Sequence, residues 1–207
     1  MSNQLLDEAE LLLLKQWGEA RLLEQSMERV RQKYAALFEQ VVAAVTEAHP
    51  DLDSHKVFVT QFWSKGSVGF GRKAWPDGDT YNLPGFWLHN LRLEVLADED
   101  EPAPAATVWI PPKAFKKIAT DAAGVRQQLL VAAADLLTKD EYERHLRQDG
   151  GGRALLHFAM PPKREVLNLF KAGDGEGLVE WAVGQFDVMA RFLPLMDRIL
   201  GDPSARG

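Results

Sequence analysis

A seven-residue repeat of apolar side chains between residues 6 and 48 constrains this chain more than any other feature of its sequence. Alternating steps of three and four residues from Leu6 meet thirteen positions, and twelve of them are apolar or aromatic. This is the spacing of a coiled-coil seam. The sequence therefore predicts one long amphipathic helix from about Leu5 to Ala48, ended by His49-Pro50 because proline disfavours helical geometry in the residue before it.

The predicted helix is too long to serve only as one side of a small core. At 1.5 Å per residue it would extend roughly 65 Å, so we expect part of it to project. We expect the surface of this projecting part to be an interface with a second copy or with another protein. The alternative is a helix packed in its own domain, either continuous or broken near Gly18 into two antiparallel pieces. The expected interface residues share the seam or its edge: Leu6, Leu13, Trp17, Leu23, Met27, Val30, Tyr34 and Leu37.

Beyond residue 55 the apolar period shortens from about 3.5 residues to 2, which predicts strands. Lys56 to Trp63 and Ser67 to Trp75 form a predicted hairpin, Phe86 to Leu96 a third strand and Ala105 to Ile110 a fourth. Short links between neighbouring strands favour an antiparallel meander.

Helical signals return after Pro112. The predicted segments are Lys113 to Ala119, Asp121 to Leu137, Thr138 to Gln148, a possible strand at Ala154 to Met160, Pro162 to Lys171, and Leu178 to Leu200 with a kink at Pro194. The fold class predicted is α+β: a long N-terminal helix, a four- to five-stranded antiparallel meander, and C-terminal helices covering one sheet face. We divide the chain into the helix, 1–50, and an α+β domain, 51–207, with sheet at 55–112 and mainly helix at 113–200. The stripe of the last helix matches that of the first, so we expect the two to pack together along part of their length.

Composition restricts the classes of site. The chain has no cysteine, so it has no disulfide, thiolate metal ligand or cysteine nucleophile. We predict no metal site and no cofactor. The early apolar run Leu11 to Leu14 is too short for a membrane span and has acidic flanks. We therefore expect a soluble, cytoplasmic protein that does not bind membranes.

Charge distribution disfavours nucleic-acid binding without excluding it. The net charge is −6, and the region 113–171 is net positive, with 11 basic and 7 acidic residues. A nucleic-acid surface usually carries a denser basic stripe. A nucleic-acid accessory protein using Lys113 to Arg164 and the Lys65 to Lys73 hairpin remains a second alternative.

Catalytic signatures do not emerge from the residue patterns. The glycines of the Lys65 to Lys73 hairpin match neither a Walker loop nor a dinucleotide loop. No two histidines have the spacing of a helical zinc site, and no serine lies in a nucleophile elbow. We therefore assign no catalytic residue.

A pocket beside the sheet is the first alternative, and it would belong to an enzyme or a small-ligand-binding domain. Its polar lining would include Arg72, Asp79, His89 and Glu94. Two tryptophans at strand ends, Trp63 and Trp75, are the best candidates for exposed aromatic contacts in this region. The leading hypothesis is different: a non-enzymatic interaction or assembly subunit, a homo-oligomer or a partner of another protein, that associates through its N-terminal helix.

Overall fold

The computed structural model describes residues 8–54, 66–75, 83–100, 103–115, 118, 121–147, 155–158 and 160–201. The predicted strand Lys56 to Trp63 lies outside these residues, as do Leu6 and Asp79. Elements are numbered below in chain order within the described ranges.

The N-terminal helix is present and has a single irregular residue. It consists of α1 (Glu8–Lys15) and α2 (Trp17–Ala48), separated by Gln16, whose φ is −111° and ψ is 28°. Helical hydrogen bonds continue on both sides, because the Gln16 N–H donates to Leu12 O at 3.1 Å and the Ala20 N–H donates to Gln16 O at 3.0 Å. A one-residue junction bridged in this way does not reverse the chain. The alternative with two antiparallel pieces is therefore wrong, and the irregularity lies at Gln16 instead of Gly18.

The strands form one antiparallel sheet, as the period-2 pattern predicts. Its order is β1-β2-β3-β4-β6-β5. The strands are β1 (Asp53–Ser54), β2 (Val68–Gly71), β3 (Gly85–His89), β4 (Ala105–Trp109), β5 (Leu146–Arg147) and β6 (Leu156–Phe158). The predicted meander is confirmed for β2, β3 and β4, which correspond to its second, third and fourth strands and pair in sequence order. The strand β1 lies before the first predicted strand and was not predicted.

The third strand is shorter than predicted. It ends at His89 because Asn90 adopts a left-handed conformation with a φ of 58°, which asparagine tolerates better than most residues. The Asn90 side chain donates to Ala103 O at 2.9 Å. The chain then forms a short helix, α3 (Leu93–Ala97), so Glu94 belongs to a helix and not to the open face of a strand.

Among the residues described after the meander, six helices are present: α4 (Pro112–Phe115), α5 (Ala122–Leu136), α6 (Lys139–His145), α7 (Lys163–Lys171), α8 (Gly175–Ala190) and α9 (Leu193–Leu200). Asp121 caps α5, and Thr138 with Glu141 forms the predicted capping box of α6. The helix α6 ends at His145, earlier than predicted. The last predicted helix is two helices, because Pro194 lies in the first turn of α9 and does not kink a continuous helix.

The core lies between one face of the sheet and the helices. Alternate residues of the central strands point to that face, and two edge-to-face ring pairs join it to the C-terminal helices. Phe70 of β2 meets Phe186 of α8 at 4.7 Å between ring centroids, and Phe158 of β6 meets Phe192 at 5.8 Å. The prediction that C-terminal helices cover one sheet face is confirmed.

The C-terminal half of α2 packs on α8, as the matching stripes predict. His49 Nε2 lies 2.7 Å from Asp187 Oδ1. A Cβ atom on Gly175 would lie 3.0 Å from Leu37 Cδ2, so the two helices approach closely there. The buried residues of this half are Tyr34 and Val41 on the seam, and Phe38 and Val45, each one position beyond a seam residue.

Candidate interaction surface

The seam of α2 changes from exposed to buried within one helical turn. Leu23 is 63% exposed, Met27 46% and Val30 40%, whereas Tyr34 is 1% exposed. The seam spacing continues without a shift across this point. The buried residues after it are Tyr34 and Val41 on the seam and Phe38 and Val45 beside it. The residues before it therefore present nearly the same apolar face, but to solvent.

Exposed large hydrophobic side chains concentrate in residues 11–30, which we name the exposed helix segment. In the described part of the chain, Val131 is the one such residue elsewhere. The nine members within the segment are Leu11, Leu12, Leu13, Leu14, Trp17, Leu22, Leu23, Met27 and Val30. Soluble proteins normally expose such residues singly, so this concentration marks a candidate interaction surface.

These nine side chains do not all share one face of the helix. Successive residues turn by about 100°, so Leu13, Leu23, Met27 and Val30 lie on the seam. Two more, Leu12 and Trp17, lie at its edges. The off-seam members are Leu11, Leu14 and Leu22. The seam and its edges thus hold six of the nine side chains.

An open groove follows the seam near the irregular residue Gln16. It has a volume of about 520 Å³ and is lined by Leu13, Trp17, Ala20, Arg21 and Glu24. Its floor is a small side chain, Ala20, and its walls are longer ones. A depression between a leucine and a tryptophan is the kind of hole that receives a side chain from a facing helix.

An ion pair marks the base of the exposed helix segment. The Arg31 Nε donates to Glu94 Oε1 of α3 at 2.5 Å. Partial burial opposes ionisation of Glu94, but the backbone hydrogen bond and the Arg31 guanidinium outweigh it and lower the pKa of Glu94. Burial, followed by the charge of Glu94, raises the pKa of the neighbouring Tyr34. Glu94, predicted as a pocket residue, therefore fixes the helix to the body.

His89 lies on the sheet face opposite the helices, between two hydroxyl groups. Its Nδ1 is 3.3 Å from Ser67 Oγ and its Nε2 is 3.1 Å from Thr107 Oγ1. The Trp87 ring stacks on the imidazole at 5.7 Å with an interplanar angle of 9°, and Trp87 itself covers Gly69, where a Cβ atom would collide with the indole. Each ring nitrogen of His89 thus has a hydroxyl partner, which is the arrangement of a satisfied histidine in a packed sheet.

Arg72 and Trp75 belong to another cluster, around Asp197 of α9. The Arg72 Nε is 3.1 Å from Asp197 Oδ1, and the Trp75 Nε1–H donates to the same oxygen at 2.8 Å. Trp75 is only 3% exposed and meets Phe86 edge to face. The expectation that Trp75 is exposed is therefore wrong. Trp63 lies outside the described residues.

The residues predicted to line one pocket thus take part in three separate sets of contacts: Arg72 and Trp75 with Asp197, His89 with two hydroxyls, and Glu94 with Arg31. Sequence reasoning missed Asp197 as the common partner of Arg72 and Trp75. The residues around Asp197 do not indicate that its carboxylate contacts the end of a strand that is distant in sequence. Over the described ranges, no three His, Asp or Glu residues are grouped to hold a metal ion. None of the described helices has the length and apolar character needed to cross a membrane.

The predicted interface residues divide at Val30. Leu13, Trp17, Leu23, Met27 and Val30 are exposed. Tyr34 is buried in its own chain against Phe170 of α7, at 4.8 Å between ring centroids, and Leu37 packs on the core. The candidate surface therefore ends at Val30.

Comparisons of this chain with protein-family models, with curated proteins and with solved structures gave no match.

Proposed function

We propose that this protein is a non-enzymatic assembly subunit that self-associates through the exposed helix segment, residues 11–30. The observation that carries the proposal is the concentration there of nine exposed large hydrophobic side chains. They continue the apolar side of a helix that is already used for packing from Tyr34 onward, where Tyr34 and Val41 lie on the seam and Phe38 and Val45 beside it.

The size of the surface supports association. Nine such side chains, each about half exposed, present on the order of 900 Å² of apolar area. The largest apolar patch on a typical monomer is about 300–600 Å². The seam and its edges contribute roughly two thirds of the area, so a pair of copies would bury about 1,200 Å², the lower end of a specific interface.

The stability of the helix itself gives a second argument. Isolated helices gain little from intrinsic propensity in water, and most helical stability in proteins comes from packing an apolar face. Residues 11–30 expose their large apolar side chains, and no described helix covers their seam side. A second copy would supply the missing packing, with its side chains entering the groove between Leu13 and Trp17.

Sedimentation equilibrium of the full chain tests the proposal, with two adjacent residues as a matched pair. Leu23 and Leu22 are almost equally exposed, at 63% and 65%, but only Leu23 lies on the seam. We expect the wild type and Leu22→Asp to sediment as oligomers and Leu23→Asp as a monomer, because a carboxylate on the seam would be buried without a partner.

Circular dichroism of each variant verifies that the body is folded, since Leu22 and Leu23 lie outside the core. A wild-type mass of one chain at about 100 μM would overturn the proposal. Equal dissociation of both variants would also overturn it, because charge anywhere on the helix, and not the seam, would then control association.

A further inference from the structure

We infer that two copies pair through the exposed helix segment in an antiparallel arrangement, with their bodies at opposite ends of the pair. The inference rests on the proposed function and adds the identity and direction of the partner. Two independent features support it: the space beside the seam and the order of charges along its edges.

The space on the seam side is blocked beyond Val30. There the chain's own α7 and α8 occupy the seam, with Phe170 against Tyr34 and Gly175 beside Leu37. In a parallel pair, residues 31–48 of the second helix and its whole body would run into this filled space. In an antiparallel pair, the part of the partner subunit's described helix that extends past Val30 is one to two turns long, residues 8–12.

The antiparallel overlap also matches the extent of the exposed seam. A register that places Leu13 opposite Val30 of the partner subunit brings Ala20 opposite Leu23 of the partner subunit. Its centre lies between residues 21 and 22, close to the middle of residues 11–30. The small Ala20 thus faces a leucine, so large and small side chains alternate across the seam as good packing requires.

Charges at the seam edges disfavour the parallel direction. In a parallel two-stranded pair, an edge residue faces the residue five positions later in the other helix. Glu19 would then face Glu24 of the partner subunit, and symmetry would repeat this repulsion. Ser26 facing Arg31 of the partner subunit offers no ion pair in return.

The same edges are complementary in the antiparallel direction, where residues of the same edge face each other. Glu10 then faces Arg31 of the partner subunit, twice by symmetry, and Trp17 faces Glu24 of the partner subunit. On the other edge, Glu19 faces Ser26 of the partner subunit. No pair of like charges remains at these edge positions. Arg31 bonds Glu94 through Nε, and its guanidinium has further N–H donors for a second carboxylate.

Distance measurement by pulsed electron resonance tests the direction. Because the chain has no cysteine, Gln40→Cys carries a single spin label, and Gln40 is an exposed residue of α2. In the antiparallel register the two labels are separated by 37 residues of helix, or about 55 Å along the axis. In a parallel pair they would lie within roughly 20 Å.

The outcomes separate the two proposals. A distance near 55 Å supports the antiparallel pair. A short distance in a sample that sediments as an oligomer keeps self-association and overturns the antiparallel direction. A monomeric sample without dipolar coupling overturns both.

Two charge-reversal variants, whose association is measured at low salt, test the direction of pairing independently. Glu10→Lys places a cation against Arg31 of the partner subunit only in the antiparallel pair, so we expect about five-fold weaker association. Glu24→Lys relieves repulsion only in a parallel pair, so we expect a change below about two-fold. Tighter association of Glu24→Lys together with unchanged association of Glu10→Lys would overturn the antiparallel direction.

Discussion

The two halves of the N-terminal helix have the same apolar spacing and opposite environments. Residues 34–45 place Tyr34, Phe38, Val41 and Val45 in the core, whereas residues 11–30 place their seam in solvent. The difference does not lie in the seam residues. It lies in what the rest of the chain supplies, because α7 and α8 reach the helix only from about residue 34.

This contrast separates two energetic roles for one repeat. In the C-terminal half, the seam residues and those beside them stabilise the protomer. In the N-terminal half, we propose that they stabilise the assembly, so substitutions there should change association and leave the protomer intact.

The largest expected effect is in the buried half. Phe38→Ala should lower the free energy of unfolding by about 3–5 kcal/mol, because it leaves a cavity under a fully buried ring. Urea denaturation at a fixed protein concentration measures it. An effect below about 1 kcal/mol would mean that the two halves differ less than their burial indicates.

The next effect belongs to the exposed half. Leu13→Ala with Met27→Ala should weaken association by on the order of 100-fold, since both side chains lie on the seam. Leu14→Ala, off the seam, is the matched control and should have little effect. The free energy of unfolding of the monomer, measured at high dilution, should be the same for the wild type, the double variant and Leu14→Ala. A lower value for the double variant would show that the exposed helix segment belongs to the core of its own protomer.

The boundary between the halves should respond to pH. Glu94→Gln removes the ionic partner of Arg31 and should cost on the order of 0.5 kcal/mol, given partial exposure of the pair. Because the folded-state pKa of Glu94 is lowered, the stability it contributes is present above its unfolded pKa and is lost as pH falls through the folded value. Denaturation of wild type and variant should therefore converge in acid; a constant difference down to pH 2 would show that charge is not the cause.

The smallest effect concerns the tyrosine at the start of the buried half. Burial raises the pKa of Tyr34, so in native protein it should not ionise near the pH of about 10 at which an exposed tyrosine titrates. Tyr34→Phe should leave the ultraviolet tyrosine titration in that range unchanged. The raised pKa also predicts that stability falls as pH rises past the unfolded value, and that this fall is smaller in Tyr34→Phe.

Sequence periodicity was sufficient for the elements with strong local signals. The N-terminal helix, β4, β6 and the Thr138–Glu141 capping box are confirmed at nearly the predicted positions. Each depends on contacts between residues close in sequence, which a spacing pattern records directly.

The misplaced features depend on single backbone angles or on distant partners. The pattern through Phe86 to Leu96 alternates well, yet one left-handed residue, Asn90, ends the strand. The position of Trp75 at the end of a predicted strand favours exposure, but Asp197, more than a hundred residues later, accepts its hydrogen bond. Periodicity likewise could not show where along the first helix the core begins, because that depends on the tertiary position of α7 and α8.

The continuous hydrogen bonding of α2 across Val30 and Tyr34 has a mechanical consequence. The exposed helix segment and the buried half of α2 therefore move together as one stiff helix. The Arg31–Glu94 ion pair holds this helix to the body between the two parts. A force that rotates the exposed helix segment is transmitted along the helix backbone to Tyr34 and Phe38, and through these side chains to α7 and α8. A partner that binds the exposed helix segment therefore also acts on the packing of the helices against the sheet.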